Sequence, residues 1–443
     1  MLTRSPARIT NRASLLDASL SEPVSARRAL ALDVLEAGLR AVEPASCTAK
    51  SLGRLGTVGF EPGPQLWVLA FGKAAIPMAQ AVLDQLPVQG GFVLGLADPD
   101  LDVVSLEPLR FLPAVHPLPS PDAAEHGQLV LDWARGLGAN DQILCLVSGG
   151  GSSMLELPAH GLSLDDLRDV GQVLLESGLP IEVVNPLRSS LSQLKGGKLL
   201  AALAPAQVAN IVLSDVVTGS LATVASGPTL PRPPAPAMLQ DIVDGRLEER
   251  LPSTALALLR AAEAGAAANP ALSEPGTVVA ADNQMACEAM AREARRRGRS
   301  VVVLPDVITG LASESGAEFV GRARERGADV VIGGGETTVQ VRGSGRGGRN
   351  HEFVLGALDN WPGGLLASMG TDGVDGTSGA AGAFLDEGVI HSLEGRPHRD
   401  AQEALLDNDS GSLLQSLCAQ LHTGPTGTNV ADVCLYVAGD NNS

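Results

Sequence analysis

Residues 65–86 read QLWVLAFGKAAIPMAQAVLDQL. Gln65 to Phe71 is an unbroken apolar run of strand length, Gly72-Lys73-Ala74-Ala75 is a turn, and Ile76 to Leu86 resumes at helical spacing. A strand apolar on both faces, followed at once by a helix, is the unit of a parallel sheet covered by helices. The pattern recurs downstream. Short apolar strands are expected at Gly91 to Leu96 and Phe111 to Val115, then a helix from Asp122 to Leu137, then a buried strand at Ile143 to Val147. Upstream, residues 26–42 have the spacing of an amphipathic helix. Strands alternating with helices predict an α/β protein whose N-terminal part is a doubly wound, largely parallel sheet.

In such sheets ligands bind outside the carboxyl ends of the strands. The turns found there are therefore the first candidate site. Gly72 and Lys73 follow the first strand, and a lysine at a strand-to-helix turn suits phosphate or a substrate carboxylate. Ser148-Gly149-Gly150-Gly151-Ser152-Ser153 follows Ile143 to Val147. One glycine would serve a plain turn, whereas three between hydroxyls can aim backbone N–H groups at an anion. Ser214-Asp215 ends a strand at Ile211 to Leu213, where an acid can hold Mg²⁺, accept a hydroxyl proton or cap a helix. Asn185 to Leu203, a helix interrupted at Gly196-Gly197, adds Arg188, Lys195 and Lys198, with a solvated cationic face as the alternative reading for the two lysines.

The tract Pro228 to Pro236 can continue neither a helix nor a central strand. It marks the expected boundary, giving a frayed start at 1–25, an N-terminal domain at 26–236 and a C-terminal domain at 237–443. The second region alternates again, with helices at Ser253 to Ala264 and Gln284 to Arg297. Its strands are expected at Thr277 to Ala281, Ser300 to Leu304, Val330 to Ile332, Leu365 to Met369 and Val433 to Val437. Its densest stretch is GGGETTVQVRGSGRGGRNHEFV, from Gly333 to Val354. Thr337 to Arg342 alternate in a strand-like way, and His351 to Leu358 resume a helical pattern. The loop between them carries Arg346 and Arg349, whose guanidinium groups match carboxylate or phosphate, and glycines whose N–H groups can turn inward on an anion. Gly343, Gly345 and Gly348 also satisfy G-x-G-x-x-G, which leaves a dinucleotide site open. Two acids, Asp372 and Asp375, lie in a later glycine-rich loop and suit a metal or a polar substrate, although Asp-Gly pairs also form ordinary turns. Thr423 to Asn429 make a third loop of glycines and hydroxyls.

Composition narrows the partners. A net charge of -18 repels nucleic acid and anionic membranes, and aromatics at 2% leave few stacking platforms for bases. Five cysteines without C-x-x-C spacing favour neither a disulfide framework nor a zinc site. No leader-like apolar segment or membrane-length run is evident, so the expectation is a cytoplasmic protein acting on small molecules.

Nine stretches, in order, resemble the glycerate 2-kinases of the class whose C-terminal half is called MOFRL. They are FGKAA at Phe71, HPLPSPDA at His116, LVSGGGSSML at Leu146, NPLRSSLSQLKGGKL at Asn185, LSDVV and ASGPT at Leu213 and Ala225, GGGETTVQVRGSGRGGRNHEF at Gly333, GTDGVDG at Gly370, LLDNDS at Leu405 and TGPTGTNVADV at Thr423. The resemblance implies transfer of phosphate from ATP, with Mg²⁺, to the 2-hydroxyl of D-glycerate. It also implies two α/β domains, the second with a mixed sheet, and an active site in the cleft between them; whether the chain is a monomer or homodimer is left open by the sequence.

Residue by residue, the resemblance makes Lys73 a clamp on substrate and transferred phosphoryl group, and Asp215 a proton acceptor or metal ligand. It sets Arg349 against the glycerate carboxylate or the developing phosphoryl charge, with Arg346 behind it. Gly72, Ser148, Gly149, Gly150, Gly151 and Ser152 would cradle phosphates. Arg188, Lys195, Glu336 and Asn429 are further substrate or phosphate contacts, and Asp372 a further metal ligand. The chain departs from the family pattern at Ser189 and Ser190, where a basic pair is usual, at Thr218-Gly219-Ser220, where acids are usual, at Gly379 and at Gly411. The competing activity is an NAD(P)H-dependent hydroxypyruvate reductase built on the G-x-G-x-x-G loop. A reductase of that kind would want a histidine paired with an acid, with His116 and His351 as its candidates. A third possibility is a binding protein for an anionic metabolite.

Overall fold

The computed structural model describes residues 8–16, 20–97, 103–177, 179, 181–231, 245, 247–264, 274–393 and 397–439. The chain divides into two compact units, residues 44–280 and residues 1–43 with 281–443. In the first, strands β1 (Leu66–Phe71), β2 (Gly90–Leu96), β3 (Arg110–Ala114), β4 (Gln142–Ser148), β5 (Gln207–Leu213) and β6 (Gly276–Ala281) form one sheet in the order β3-β2-β1-β4-β5-β6. The pairs from β3 through to β5 run parallel. This is the doubly wound order, in which the direction of winding reverses between β1 and β4.

The expected apolar runs fill the sheet. β4 is buried from Ile143 to Ser148, and β1 at every position but Trp67. Phe71, Ile143, Cys145 and Val147 pack with Val130, Leu131 and Ala134 of helix Ala123–Arg135, and with Leu199 and Leu203 of helix Lys198–Leu203. A second core joins three helices, Leu164–Glu176, Ile181–Ser190 and Ser253–Ala264, through residues such as Leu174, Leu187 and Leu256.

The other unit holds a mixed sheet of β7 (Val301–Val303), β8 (Val330–Gly335), β9 (Leu365–Gly370), β10 (Gly382–Asp386), β11 (Gln420–Leu421) and β12 (Asp432–Val437), in the order β11-β10-β9-β12-β8-β7. Only β7 with β8 is parallel among its pairs. Because β8 and β9 both run antiparallel to β12, their carboxyl ends share an edge with the start of β12. Helix Glu22–Ala41 belongs to this unit. Its Gly38 admits Met290 of helix Asn283–Arg296, and its Arg28 makes a buried two-point ion pair with Asp386 at 2.6 and 3.0 Å.

Three expectations change. Residues 26–43, assigned to the N-terminal domain from their position, pack with 281–443, while the described residues of 237–280 lie in the first unit. Much of the proline tract falls outside the described residues. Residues 8–16, expected within a frayed start, are tied down: the Thr10 N–H donates to the His422 carbonyl at 2.6 Å, and Ile9 and Leu15 are buried. Thr337 to Arg342 do not form a strand; β8 stops at Gly335, and the segment makes a single bridge from Thr338 to Leu311.

Candidate active site

In the first unit the turns after β1, β4 and β5 meet at one sheet edge. Gly72 has φ +115° and lies so close to β4 that a Cβ would sit 2.4 Å from the Ser148 carbonyl and hydroxyl oxygens, which excludes any side chain there. The turn is stitched to its neighbour: the Lys73 N–H donates to the Gly149 carbonyl at 2.9 Å, and the Ala74 N–H to Ser148 Oγ at 3.0 Å. Ser148 is buried and thus committed to this stitching. Lys73 is half-buried, and its Cγ lies 3.1 Å from the place a Gly150 Cβ would occupy, so the lysine runs directly across the glycine turn. Gly150 is left-handed at φ +81° and opens the short helix Gly151–Met154. Ser152 Oγ is 3.0 Å from Ser226 Oγ. Asp215, also half-buried, follows the buried Ser214 at the end of β5. The strand order thus brings the Gly72–Lys73 turn and the Ser148–Ser152 turn together at the switch point, and sets Asp215 at the end of the next strand on the same edge.

Lys195 is different. It is neither solvated nor open to an anion: its ammonium is paired with Glu156, and the two side chains are 4% and 5% exposed. Lys198 likewise donates to the backbone carbonyls of Ser189 and Ser192. Arg188 stays half-buried near Glu156. Burial works against its charge, and the Glu156 carboxylate works in favour of it, leaving the guanidinium below its ordinary range.

In the second unit the shared edge of β8, β9 and β12 collects Glu336, Asp372, Asn429, Asp432 and Arg349. Arg349 is the first residue of helix Arg349–Gly356. Its Nε and Nη2 donate to the two oxygens of Asp432 at 2.5 and 3.0 Å, and its Nη1 to Glu336 at 2.7 Å. Burial pushes the Asp432 carboxyl up to about 6 against the pull of Arg349. Burial also opposes the guanidinium charge, but Asp432 and Glu336 outweigh it and raise Arg349 above its usual value. Since no accessible pH deprotonates the guanidinium, Asp432 is the member of the pair that titrates. Asp372 accepts the Val374 N–H at 3.1 Å, an ordinary Asx turn, and Asn429 Oδ1 accepts from the Ala431 N–H at 3.2 Å.

Asp375 does not join Asp372. It is buried under the start of the same helix, accepting from the Asn350 N–H and Nδ2 through one oxygen and from the His351 N–H and ring Nδ1 through the other. Burial alone would raise this carboxyl, but the His351 bonds and the backbone donors hold it below its ordinary value. The Gln420 amide nitrogen lies 3.1 Å from His351 Nε2 and donates to the Gly411 carbonyl at 3.2 Å.

The glycine–arginine loop is spent internally. The N–H groups of Arg342 and Gly343 donate to Asn408 Oδ1, that of Ser344 to Asp407 Oδ1, that of Gly345 to the Asp407 carbonyl and that of Arg346 to Asp409 Oδ1. A Cβ on Gly343 or Gly345 would fall 2.2–2.6 Å from Asp407 or Asp409. The backbone donors expected to hold an anion thus hold residues 407–409, and no open pyrophosphate turn is left for a dinucleotide. Arg346 is exposed, within 3.5 Å of the Ser378 carbonyl. Sequence reasoning missed Glu156, Asp432 and this use of Asp407-Asn408-Asp409. The motifs VADV and LLDNDS contained the last four, but nothing local names their partners. Among the described residues no group of three or more His, Cys, Asp or Glu gathers to hold a metal ion, and no helix is long and apolar enough to cross a membrane.

A family model described as "Domain of unknown function (DUF4147)" matches residues 30–260, and the MOFRL family model matches residues 329–432. The chain is 32% identical to a protein named D-glycerate 2-kinase from Thermotoga maritima, over 94% of this chain and 99% of that one. It is 34% identical to an Agrobacterium vitis protein provisionally named a hydroxypyruvate reductase, over 84% of this chain and 99% of the other. A crystal structure titled glycerate kinase from Thermotoga maritima superposes with a TM-score of 0.76 at 30% identity, covering 94% of this chain and all of that one.

Proposed function

The chain belongs to the glycerate 2-kinase family that joins a DUF4147 region to a MOFRL region, and from that membership we propose that it phosphorylates D-glycerate at its 2-hydroxyl, using ATP and Mg²⁺. The observation that carries this reading is the meeting of the Lys73 turn and the Ser148–Ser152 turn at the β1/β4 switch point, with Asp215 at the end of β5 on the same edge. Phosphoryl transfer asks a protein for positioning and charge neutralisation more than for covalent chemistry. Lys73 supplies a cation beside a glycine turn, and Asp215 a carboxylate able to take the proton of the attacking hydroxyl. Arg349 offers a guanidinium, fixed in its plane by Asp432 and resting against Glu336, to the carboxylate of glycerate or to the transferred group.

Mg²⁺ takes one or two carboxylates together with phosphate oxygens and water, a demand that Asp215 or Asp372 alone can meet. When bound, the ion would neutralise phosphate charge, so that an anionic acceptor would meet less repulsion from ATP.

ADP release from D-glycerate, ATP and Mg²⁺, with the product identified by phosphorus NMR, tests the reading. Formation of 2-phosphoglycerate, lost in Lys73→Ala, is the expected result. Oxidation of NADH on adding hydroxypyruvate, without turnover of glycerate, would replace it with the reductase.

A further inference from the structure

Arg349 has five N–H bonds, and three of them are occupied by two acids of unlike surroundings. Asp432 heads β12, with Gly335 and Gly370 as its ladder neighbours, and it is buried. Its two oxygens take Nε and Nη2, which fixes the plane of the guanidinium. Glu336 lies just beyond β8, has a side chain 46% exposed, and takes one hydrogen of Nη1. Beneath them, Asp375 binds the Asn350 and His351 N–H groups and so fixes the helical turn on which Arg349 sits. One side of the guanidinium is thus locked to the fold, and the other rests against a carboxylate that solvent can reach.

We propose that Asp432 is the positioning residue for Arg349, and that Glu336 is a place-holder occupying the N–H group which an incoming substrate oxyanion takes over. The ligand is a carboxylate or phosphoryl oxygen of the glycerate reaction, so the inference rests on the kinase reading above. The two-point pair does not exchange on binding, because freeing Asp432, which is buried, would strand its charge in the interior. A half-exposed single contact exchanges cheaply, being worth about 0.2–1 kcal/mol, or roughly a 1.4- to 5-fold effect on affinity.

The two acids therefore have opposite signatures. Asp432→Asn keeps shape and burial but loses the charge-assisted fork. It should lower kcat by about 10- to 100-fold, the scale seen when an orienting partner is lost, with a smaller change in KM for glycerate. Glu336→Gln removes a competitor and should lower the KM for glycerate about 1.4- to 5-fold. Thermal melts run alongside identify a variant that has merely lost its fold. An Asp432→Asn enzyme with wild-type kcat, or a Glu336→Gln enzyme with raised KM and kcat reduced as far as in Asp432→Asn, overturns the proposal.

A second readout does not depend on turnover. The Nε–H resonance of Arg349 in ¹⁵N NMR, assigned by Arg349→Lys, should exchange slowly with solvent in the wild type and in Glu336→Gln, and rapidly in Asp432→Asn. Addition of D-glycerate should shift it in the wild type. Should the wild type fail to turn glycerate over, the kinase reading falls by itself. Rapid exchange in the wild type would overturn the positioning role whatever the activity.

Discussion

Lys195 and Glu156 face each other with side chains 4% and 5% exposed, so neither charge has water to fall back on. Removing one partner leaves the other desolvated and alone, at a cost of about 3–5 kcal/mol, whereas replacing both by apolar groups of similar volume is far milder. Lys195→Met should accordingly lose that much in urea unfolding, and Lys195→Met with Glu156→Leu should recover most of it. A Lys195→Met protein of wild-type stability that no longer binds nucleotide would return Lys195 to the phosphate site expected from its motif. The motif could not separate these roles, since LKGGK specifies two lysines near a glycine turn and not the glutamate 39 residues earlier that claims one of them. Asp375 gives the pH counterpart. Its carboxyl is held below the ordinary range, so its contribution to stability is complete above the unfolded carboxylate value near 4 and is lost as pH falls through the lower folded value. Acid titration by circular dichroism should show less loss as the pH falls below 4 in Asp375→Asn than in the wild type, from a lower starting stability at pH 7.

At the scale of elements, the loop from Arg342 to Gly348 shows why a glycine-rich passage is easily misread. Glycine permits backbone approach, and the sequence says nothing of what approaches. Here it is the backbone and side chains of Asp407 to Asp409, more than 60 residues on, which take five consecutive N–H groups. Gly345→Ala places a methyl group against Asp407 and Asp409 and should cost about 1–3 kcal/mol, the usual range for overpacking, visible as a lower melting temperature. Retention of full stability would mean that the loop does not lie against residues 407–409.

The strands were far more legible. Gln65 to Phe71 and Ile143 to Val147 were recovered to within a residue or so, because a strand covered on both faces must be apolar throughout. β10 escaped notice because its five residues, GAFLD, carry neither a long apolar run nor alternation. Burial within these elements also sets thiol chemistry. Cys145 in β4, Cys434 in β12, Cys287 and Cys47 are buried, and burial pushes Cys287 up to about 12, while Cys418 is exposed. Ellman's reagent should therefore titrate one thiol promptly in the native protein and five in urea. Prompt reaction of a second thiol would contradict the burial of these elements.

At the scale of the whole chain, the unit boundary was illegible for a definite reason. Proline tracts and composition report where local structure stops, whereas helix Glu22–Ala41 owes its place to contacts with residues more than 240 positions away. Arg28 is the clearest of them: it pairs with Asp386 at 2.6 and 3.0 Å, donates to the Leu15 carbonyl at 3.1 Å, and lies 4.7 Å over the Phe384 ring. Asp386 in turn caps helix Glu387–His391 through the Val389 N–H. Arg28→Met should strand Asp386 and cost about 3–5 kcal/mol. The loss should fall on the unit of 1–43 and 281–443, because every partner named lies within it. The tryptophans provide a local reading, since Trp67 and Trp133 belong to residues 44–280 and Trp361 to the other unit. In a Trp361→Phe background, fluorescence then follows residues 44–280 alone, while far-ultraviolet circular dichroism follows both units. With Arg28→Met added, part of the dichroism should be lost at lower urea concentration while the fluorescence transition stays where it was. A single coincident transition, shifted in both signals, would show that the two units do not unfold separately.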